Sequence, residues 1–461
     1  MSWIDKIVPG RKRPAPRVSA SANEDQFVWR PAVSLSPESA PSNSSAFPRF
    51  QSTAGDQLDT KTADRFAVVR SKLRNAYTPS QPITTQKMFA GRRDILNTLI
   101  RCIEDQRLHT VIYGERGIGK TSLLQVLAAA AREARYLVVY VTCGARSEFD
   151  ETFRSIASKI PLMYHSAYGP TSTEGERGDT LASILPPEAI TVSAASEALA
   201  QIEGTRVLVI LDEYDRAVSE DFRRGVAELL KSLSDQAVRV QILVAGVAAN
   251  LTELVANVPS VQRNVFAMRV PKMSAAEVRD IVKNGEILCD LHFEDAAVHA
   301  IISRSMGFPY LASLISHRAA LVALDHGRMD VLVEDIATAT EEAVDEFRGR
   351  ISRRSQMQIT DLVAAGNLGV LGALAGAAQS TGGWFTVEDI SALFAETDAI
   401  GGARAAAEWL ANQHLLIESG NDGFGSAYRF IEPTVPVYLW LLAAKGEFFG
   451  RAQPAAEHAA E

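Results

Sequence analysis

From residue 87 onward, short continuous apolar runs alternate with segments whose apolar positions recur every three or four residues. That alternation predicts strands and helices in turn, the signature of a parallel sheet covered by helices. The predicted strands are 110–113, 137–141, 207–211, 240–245 and 265–270, with helices such as 121–134 and 148–160 between them. A Gly/Ser/Thr-rich stretch at 169–178 predicts a mobile loop ahead of the third strand. After residue 270 the strands stop, and helical spacing runs from 274 to 348. Upstream, Phe66, Val69 and Leu73 predict a helix that stops before Tyr77-Thr78-Pro79. The last segment, about 356–450, mixes helices with one hairpin around Asn421-Asp422-Gly423.

These patterns divide the chain into a disordered tail at 1–58, rich in Pro, Ser and Ala, and a linker helix at 59–86. An α/β core at 87–272, a helical lid at 273–350, a C-terminal module at 356–450 and a flexible tail at 451–461 follow. Within the N-terminal tail, Trp3-Ile4 and Ile7-Val8 followed by Arg11-Lys12-Arg13 form a candidate docking tip.

Composition narrows the function classes. At 461 residues with 47% hydrophobic and 22% charged side chains the chain is of ordinary globular usage, and its net charge of −8 argues against a surface coated for nonspecific nucleic-acid binding. No apolar run reaches the roughly 18 residues of a membrane span; the best, 435–444, is too short. The basic run near the N-terminus follows rather than precedes the apolar residues, so no secretory signal is expected. Cys102, Cys143 and Cys289 are odd in number and form no CxxC pair, which fits a reducing, cytoplasmic setting. Cys289 with His292 and His299 matches no zinc spacing, and no GxSxG hydrolase motif occurs.

One segment carries chemistry outright. Gly114-Glu115-Arg116-Gly117-Ile118-Gly119-Lys120-Thr121 is the full GxxxxGK[ST] pattern, set between a predicted strand and a predicted helix. Glycines let the backbone curl so that N–H groups and the helix start face phosphate oxygens; Lys120 adds charge and Thr121, followed by Ser122, a hydroxyl for magnesium. A second segment complements it: 207–211 is a buried-strand run ending in Asp212-Glu213, 92 residues after Lys120, which suits a strand beside the first. Asp212 would hold Mg2+ through water, and Glu213 would orient or deprotonate the water that attacks the terminal phosphate.

With these motifs the chain resembles the AAA+ ATPases, in the branch that joins origin-recognition initiators with STAND signalling ATPases and transposition helpers. Further segments carry the resemblance over roughly 85–345: Phe89-Ala90-Gly91-Arg92, similar to an FxGR segment bordering adenine; Asp212-Glu213-Tyr214-Asp215-Arg216, similar to an extended DExD motif; Ser260-Val261-Gln262-Arg263, where the family places an arginine finger; and Gly307-Phe308-Pro309, similar to a lid GxP motif with its proline against the base. The resemblance implies a three-layer α/β P-loop NTPase (AAA+) core with a helical lid and a C-terminal winged-helix-like domain. It implies ATP and Mg2+ as ligands, ATP hydrolysis, a homo-oligomer, a protein partner, and DNA as a candidate partner. The fourth strand ends in Val244-Ala245-Gly246 without the usual polar sensor, leaving Asn250 as the candidate, and no arginine follows Gly307 where initiators carry a second sensor. These departures point to a slow, switch-like ATPase.

In the C-terminal module, Thr386 is a good N-cap for a helix at 387–396, a second helix is predicted at 402–412, and Leu415-Leu416-Ile417 and Tyr428-Arg429-Phe430 flank a Gly-rich turn. Helix, helix, hairpin is a winged-helix order. Yet residues 356–450 hold three basic side chains, Arg404, Arg429 and Lys445, against ten acidic ones, a net of −7, so few donors face phosphate. The best basic cluster lies just upstream, at Arg348, Arg350, Arg353 and Arg354, as a nucleic-acid contact or a solvated helix face.

Overall fold

The computed structural model of the chain describes residues 65–79, 81–84, 88–236, 238–248, 251, 254, 265–364, 368–381, 383–391, 407–408, 410–411, 415–418 and 427–445. The tails at 1–58 and 451–461, Asn250, the Ser260–Arg263 segment, Arg404 and the Asn421-Asp422-Gly423 turn lie outside the described residues.

Five strands form one parallel sheet: β1 (His109–Gly114), β2 (Leu137–Thr142), β3 (Val207–Asp212), β4 (Val240–Val247) and β5 (Val265–Arg269), in the order β2-β3-β4-β1-β5. Each lies where the apolar runs predict it. The sequence places the strand bearing Asp212 next to the first, whereas β4 intervenes between β3 and β1. Alternation along the pleat buries both faces: Val207, Val209 and Leu211 pack on one side with Phe153, Leu199 and Phe222, while Leu208 and Ile210 pack on the other with Leu123, Leu124 and Leu127. Each such side chain, fully withdrawn from water, contributes on the order of 1.5–3 kcal/mol.

Helices α2 (Arg93–Glu104) and α3 (Lys120–Glu133) cover one face and α4 (Phe149–Ala157), α6 (Val192–Ala200) and α7 (Glu220–Asp235) the other, after the order of their connections. Between α4 and α6 the stretch predicted as a mobile loop contains a short helix, α5 (Thr173–Arg177). Ser172 caps its start by accepting the Gly175 N–H, and Gly178 ends it with φ 75°. The composition that suggests a loop is thus the composition of two helix caps.

The lid is built from α8 (Ala275–Cys289), α9 (Asp295–Ser305), α10 (Pro309–Asp325) and α11 (Val333–Arg348). A capping box of Ser274 and Glu277 opens α8, and Pro309 stands at the start of α10, where its missing N–H costs nothing. The sequence predicts no strands here, but β6 (His292–Phe293) and β7 (Asp330–Val331) pair in parallel and tie the α8–α9 and α10–α11 turns together. Helix α1 (Arg65–Ala76) lies against α8; the Tyr77 hydroxyl donates to the Val282 carbonyl at 2.9 Å, and a Cβ on Gly285 would overlap the ring at 2.0 Å, so only glycine fits there.

Beyond the lid come α12 (Arg353–Ala364), α13 (Leu368–Thr381), α14 (Val387–Ser391), the antiparallel pair β8 (Leu416–Glu418) and β9 (Tyr428–Phe430), and α15 (Val435–Lys445). Phe385 exchanges backbone hydrogen bonds with Tyr428, 2.9 and 2.8 Å, adding a third extended residue beside the pair. Of the predicted helix at 402–412, residues 407–408 and 410–411 are described and helical. Among the described residues no helix is long and apolar enough to cross a membrane, and no three or more His, Cys, Asp or Glu side chains gather as a metal cluster. Cys289 is buried, and His299 is turned to its own helix at Asp295.

Candidate nucleotide site

The carboxyl ends of β1, β3 and β4 open onto a cavity of about 530 Å³ between the sheet and the lid. Open α/β sheets place their ligands at this edge, because the loops that leave the strands there are free of the packing that fixes the sheet. The loop from β1 to α3 forms one wall. Gly114, Gly117 and Gly119 adopt φ of 149°, 78° and 89°, conformations that side chains resist, and they bend the chain around the start of α3. A Cβ on Gly119 would stand 3.1 Å from Arg92 Nη1 and 3.3 Å from Pro309 Cγ, so the lid and the segment before α2 close on this loop tightly.

Lys120, the first residue of α3, is only 8% exposed, and its Nζ donates to the carbonyls of Gly114 at 2.8 Å and Glu115 at 2.7 Å. Burial pushes its pKa down to about 8, with Asp215, Asp212 and Glu115 pulling the other way. Across the cavity, Asp212 ends β3 at 3% exposure. Its Oδ2 accepts from the Tyr140 hydroxyl at 2.6 Å, and its Oδ1 from the Glu213 N–H at 2.8 Å. Glu213 has φ 53°, which turns the chain sharply off the strand, and its Oε2 accepts from Arg216 Nη1 at 2.6 Å. Asp215 bridges to β4 by accepting the Val247 N–H at 2.8 Å. A Cβ on Gly246 would stand 2.9 Å from Asp215 Oδ1. Where the sequence lacks a polar sensor at the end of β4, Asp215 therefore fills the space from the neighbouring turn.

Of the residues singled out in the sequence, Phe89, Arg92, Gly117, Gly119, Lys120, Thr121, Ser122, Asp212, Glu213 and Pro309 come together as lining. Gly114 contributes its carbonyl to Lys120 from behind the wall, and Gly91 is not lining: with φ 62° and no side chain it admits Glu277, whose Cγ would lie 2.6 Å from a Cβ there. Arg92 is 5% exposed and is spent on support. Its Nη1 donates to the Ile118 carbonyl in the phosphate loop, its Nη2 to the Pro271 carbonyl at 2.9 Å, and its N–H to Glu277 Oε1 at 2.9 Å. Burial pushes its pKa down to about 10. Ser122 likewise accepts the Ile83 N–H at 3.2 Å, pinning a proline-bearing strap, with Thr78, Pro79, Gln81, Pro82 and Ile83 lining the cavity, along the outer wall. Asn250 and Arg263 lie outside the described residues.

Other lining residues carry no motif that singles them out. Tyr310 and Ser313 lie one turn apart on α10, Met273 and Ile281 flank the start of α8, and the strap is announced only by Pro79 and Pro82. Of the basic cluster that offers a nucleic-acid contact or a solvated helix face, Arg350 is exposed yet engaged within the chain: it pairs with Glu346, donates to the Tyr310 hydroxyl at 3.0 Å and lies over the Phe347 ring. Arg348, Arg353 and Arg354 are exposed as well.

Residues 103–255 match a family model described as an AAA domain. The Holliday junction branch migration complex subunit RuvB of Thermotoga maritima is 23% identical over 276 residues, spanning 57% of this chain and 71% of that protein. Among solved structures, one of Drosophila ORC bound to DNA is 14% identical with a TM-score of 0.44, covering 86% of this chain and 96% of that one. The Aeropyrum pernix ORC2 protein is 16% identical with a TM-score of 0.44, covering 81% and 98%. The matched AAA segment takes in β1 to β4 and the phosphate loop, and the core is a three-layer α/β P-loop fold of the AAA+ kind.

Proposed function

We propose that this chain binds ATP with Mg2+, hydrolyses it slowly, and serves as an ATP-controlled assembly switch in a DNA transaction. The observation that carries the reading is the meeting of the glycine loop, Lys120, Thr121, Asp212 and Glu213 around one cavity beneath a helical lid. The donor set fits a nucleoside triphosphate. The loop glycines free backbone N–H groups for phosphate oxygens, and Lys120, held on two carbonyls, is a buried cation ready to exchange them for phosphate. Thr121 and Asp212 would hold Mg2+, which screens phosphate charge when bound. Phe89 and Pro309 would flank the base, with Gly91, Arg92 and Ser122 acting through the segments they brace. Asn250 as sensor and Arg263 as a finger toward a neighbouring subunit complete the proposed machinery.

Slow turnover follows from Glu213. Its carboxylate is paired with Arg216 and must leave that partner before it can orient an attacking water. Glu213→Gln should therefore keep Mg-ATP affinity, measured by calorimetry, while phosphate release falls to background. Equal turnover in the two proteins would remove Glu213 from the mechanism.

The DNA side of the reading is supported by the likeness of the ATPase segment to RuvB, whose name places it at Holliday junctions. A second reading, a signalling or scaffold ATPase that assembles on a protein partner without touching DNA, is favoured by the net −7 of residues 356–450 and by the pairing of Arg350 with Glu346. Fluorescence anisotropy of duplex DNA with the full chain, with and without ATP at near-physiological salt, separates them. ATP-strengthened binding supports the first reading, and its absence in every nucleotide state supports the second.

A further inference from the structure

We propose that Tyr140 is a positioning residue for Asp212, holding the carboxylate in the orientation that receives the cation. The inference rests on the reading of this cavity as a Mg-nucleotide site. Strand β2 pairs in parallel with β3, Tyr140 opposite Ile210 and Thr142 opposite Asp212, so Tyr140 stands two residues short of the carboxylate. Its side chain spans that offset, and the hydroxyl donates to Asp212 Oδ2 at 2.6 Å. The other oxygen, Oδ1, is anchored by the Glu213 N–H at 2.8 Å. A carboxylate offers about four acceptor positions. The two anchors fix its plane and leave the remaining lone pairs for a cation or its waters.

Partners of this outer kind commonly change metal affinity by about 10- to 100-fold when removed. A tyrosine that only filled space would leave that affinity alone.

The experiment compares full-length wild type with Tyr140→Phe, which keeps the ring and loses the donor. Mn2+ is titrated into each protein saturated with ADP and followed by electron paramagnetic resonance; ADP affinity without metal is measured in parallel. The expected result is unchanged metal-free ADP affinity with Mn2+ binding weakened about tenfold in Tyr140→Phe. Mn2+ affinity equal to wild type in Tyr140→Phe overturns the inference while leaving the site itself standing. Loss of ADP binding without metal also overturns it, since Tyr140 would then shape the cavity rather than the carboxylate. A wild type that binds no Mn2+ in the presence of ADP overturns both this inference and the reading of the cavity.

Discussion

The carboxyl edge of the sheet and the region beyond the lid bury their residues on opposite terms. At the sheet edge Arg92, Lys120 and Asp212 are almost wholly withdrawn from water, each held by backbone carbonyls, an N–H or a hydroxyl. Beyond Arg353 the buried set is nearly all apolar: Leu371, Leu374, Phe385, Leu410, Tyr428 and Leu439 pack together, and Gly372 lets α13 approach Ala443 so closely that a Cβ would stand 2.8 Å away. Burying charge is costly unless partners replace water, whereas burying hydrocarbon is favourable by itself. The first region therefore keeps charge for a ligand at the expense of stability, and the second is a source of stability with little chemistry.

The largest expected effect tests the second half of that contrast. Phe385 is fully buried against Tyr428 and Phe430, so Phe385→Ala should destabilise the C-terminal region by about 3–5 kcal/mol. Scanning calorimetry should show an earlier transition with Mg-ATP affinity unchanged; a matching fall in affinity would mean the two regions unfold as one. Lys120→Ala should do the reverse. Mg-ATP at 100 times its dissociation constant stabilises the wild type by about 2.7 kcal/mol, and the variant should lose that increment. Its ligand-free melting should stay close to wild type, because the desolvation relieved offsets the two hydrogen bonds lost. A preserved ATP-induced shift in this variant would break the assignment of the cavity.

A pH effect sharpens the comparison next. His109 at the start of β1 is buried, its Nδ1 accepts the Ile242 N–H at 2.9 Å, and burial pushes its pKa down to about 4 from 6.5. The neutral ring is the folded form, so its stabilisation is complete above pH 6.5 and is lost as the pH falls toward 4. Between pH 7 and 5 the loss is about 2 kcal/mol. His109→Asn keeps an acceptor near the Nδ1 position without titrating, and its melting temperature should vary less over that range. An identical pH slope in both proteins would place the titration elsewhere. The smallest effect lies at the junction, where Glu432 accepts from the Ser352 N–H at 2.8 Å and the Ser355 hydroxyl at 2.7 Å. Burial alone would raise its pKa, but these bonds outweigh it and hold the carboxyl below its ordinary 4.5. That stabilisation is present above pH 4.5 and lost as the pH falls through the lowered value. Glu432→Gln should lower stability at pH 7 by about 0.5–1.5 kcal/mol and converge on wild type in acid.

Legibility in the sequence followed the range of the interactions. The inner strands β1, β3 and β4 were readable because a doubly buried parallel strand must be a continuous apolar run, the edge strands β2 and β5 because they are short apolar runs as well, and the phosphate loop because its glycines and lysine are contiguous. The Ile83 contact with Ser122, the Arg350 contact with Tyr310 and the Asp215 bridge to β4 were not readable, since each joins residues distant in the chain through single contacts that impose no periodicity. The paired strands at His292 and Asp330 were missed because two residues are too few to show a period of two.

By itself the sequence determined the alternation of strand and helix, the conformation of the glycine loop and the presence of two acidic residues at the end of a buried strand. Those are local properties, set by backbone sterics and by which side chains avoid water. Tertiary structure alone decided that β4 stands between β1 and β3, that Arg92 braces the loop instead of lining it freely, and that the Tyr140 hydroxyl meets Asp212 across two strands. Strand order and lid closure fix those contacts, and a side chain of a given type satisfies the same local rules whether its partner is four residues away or seventy-two.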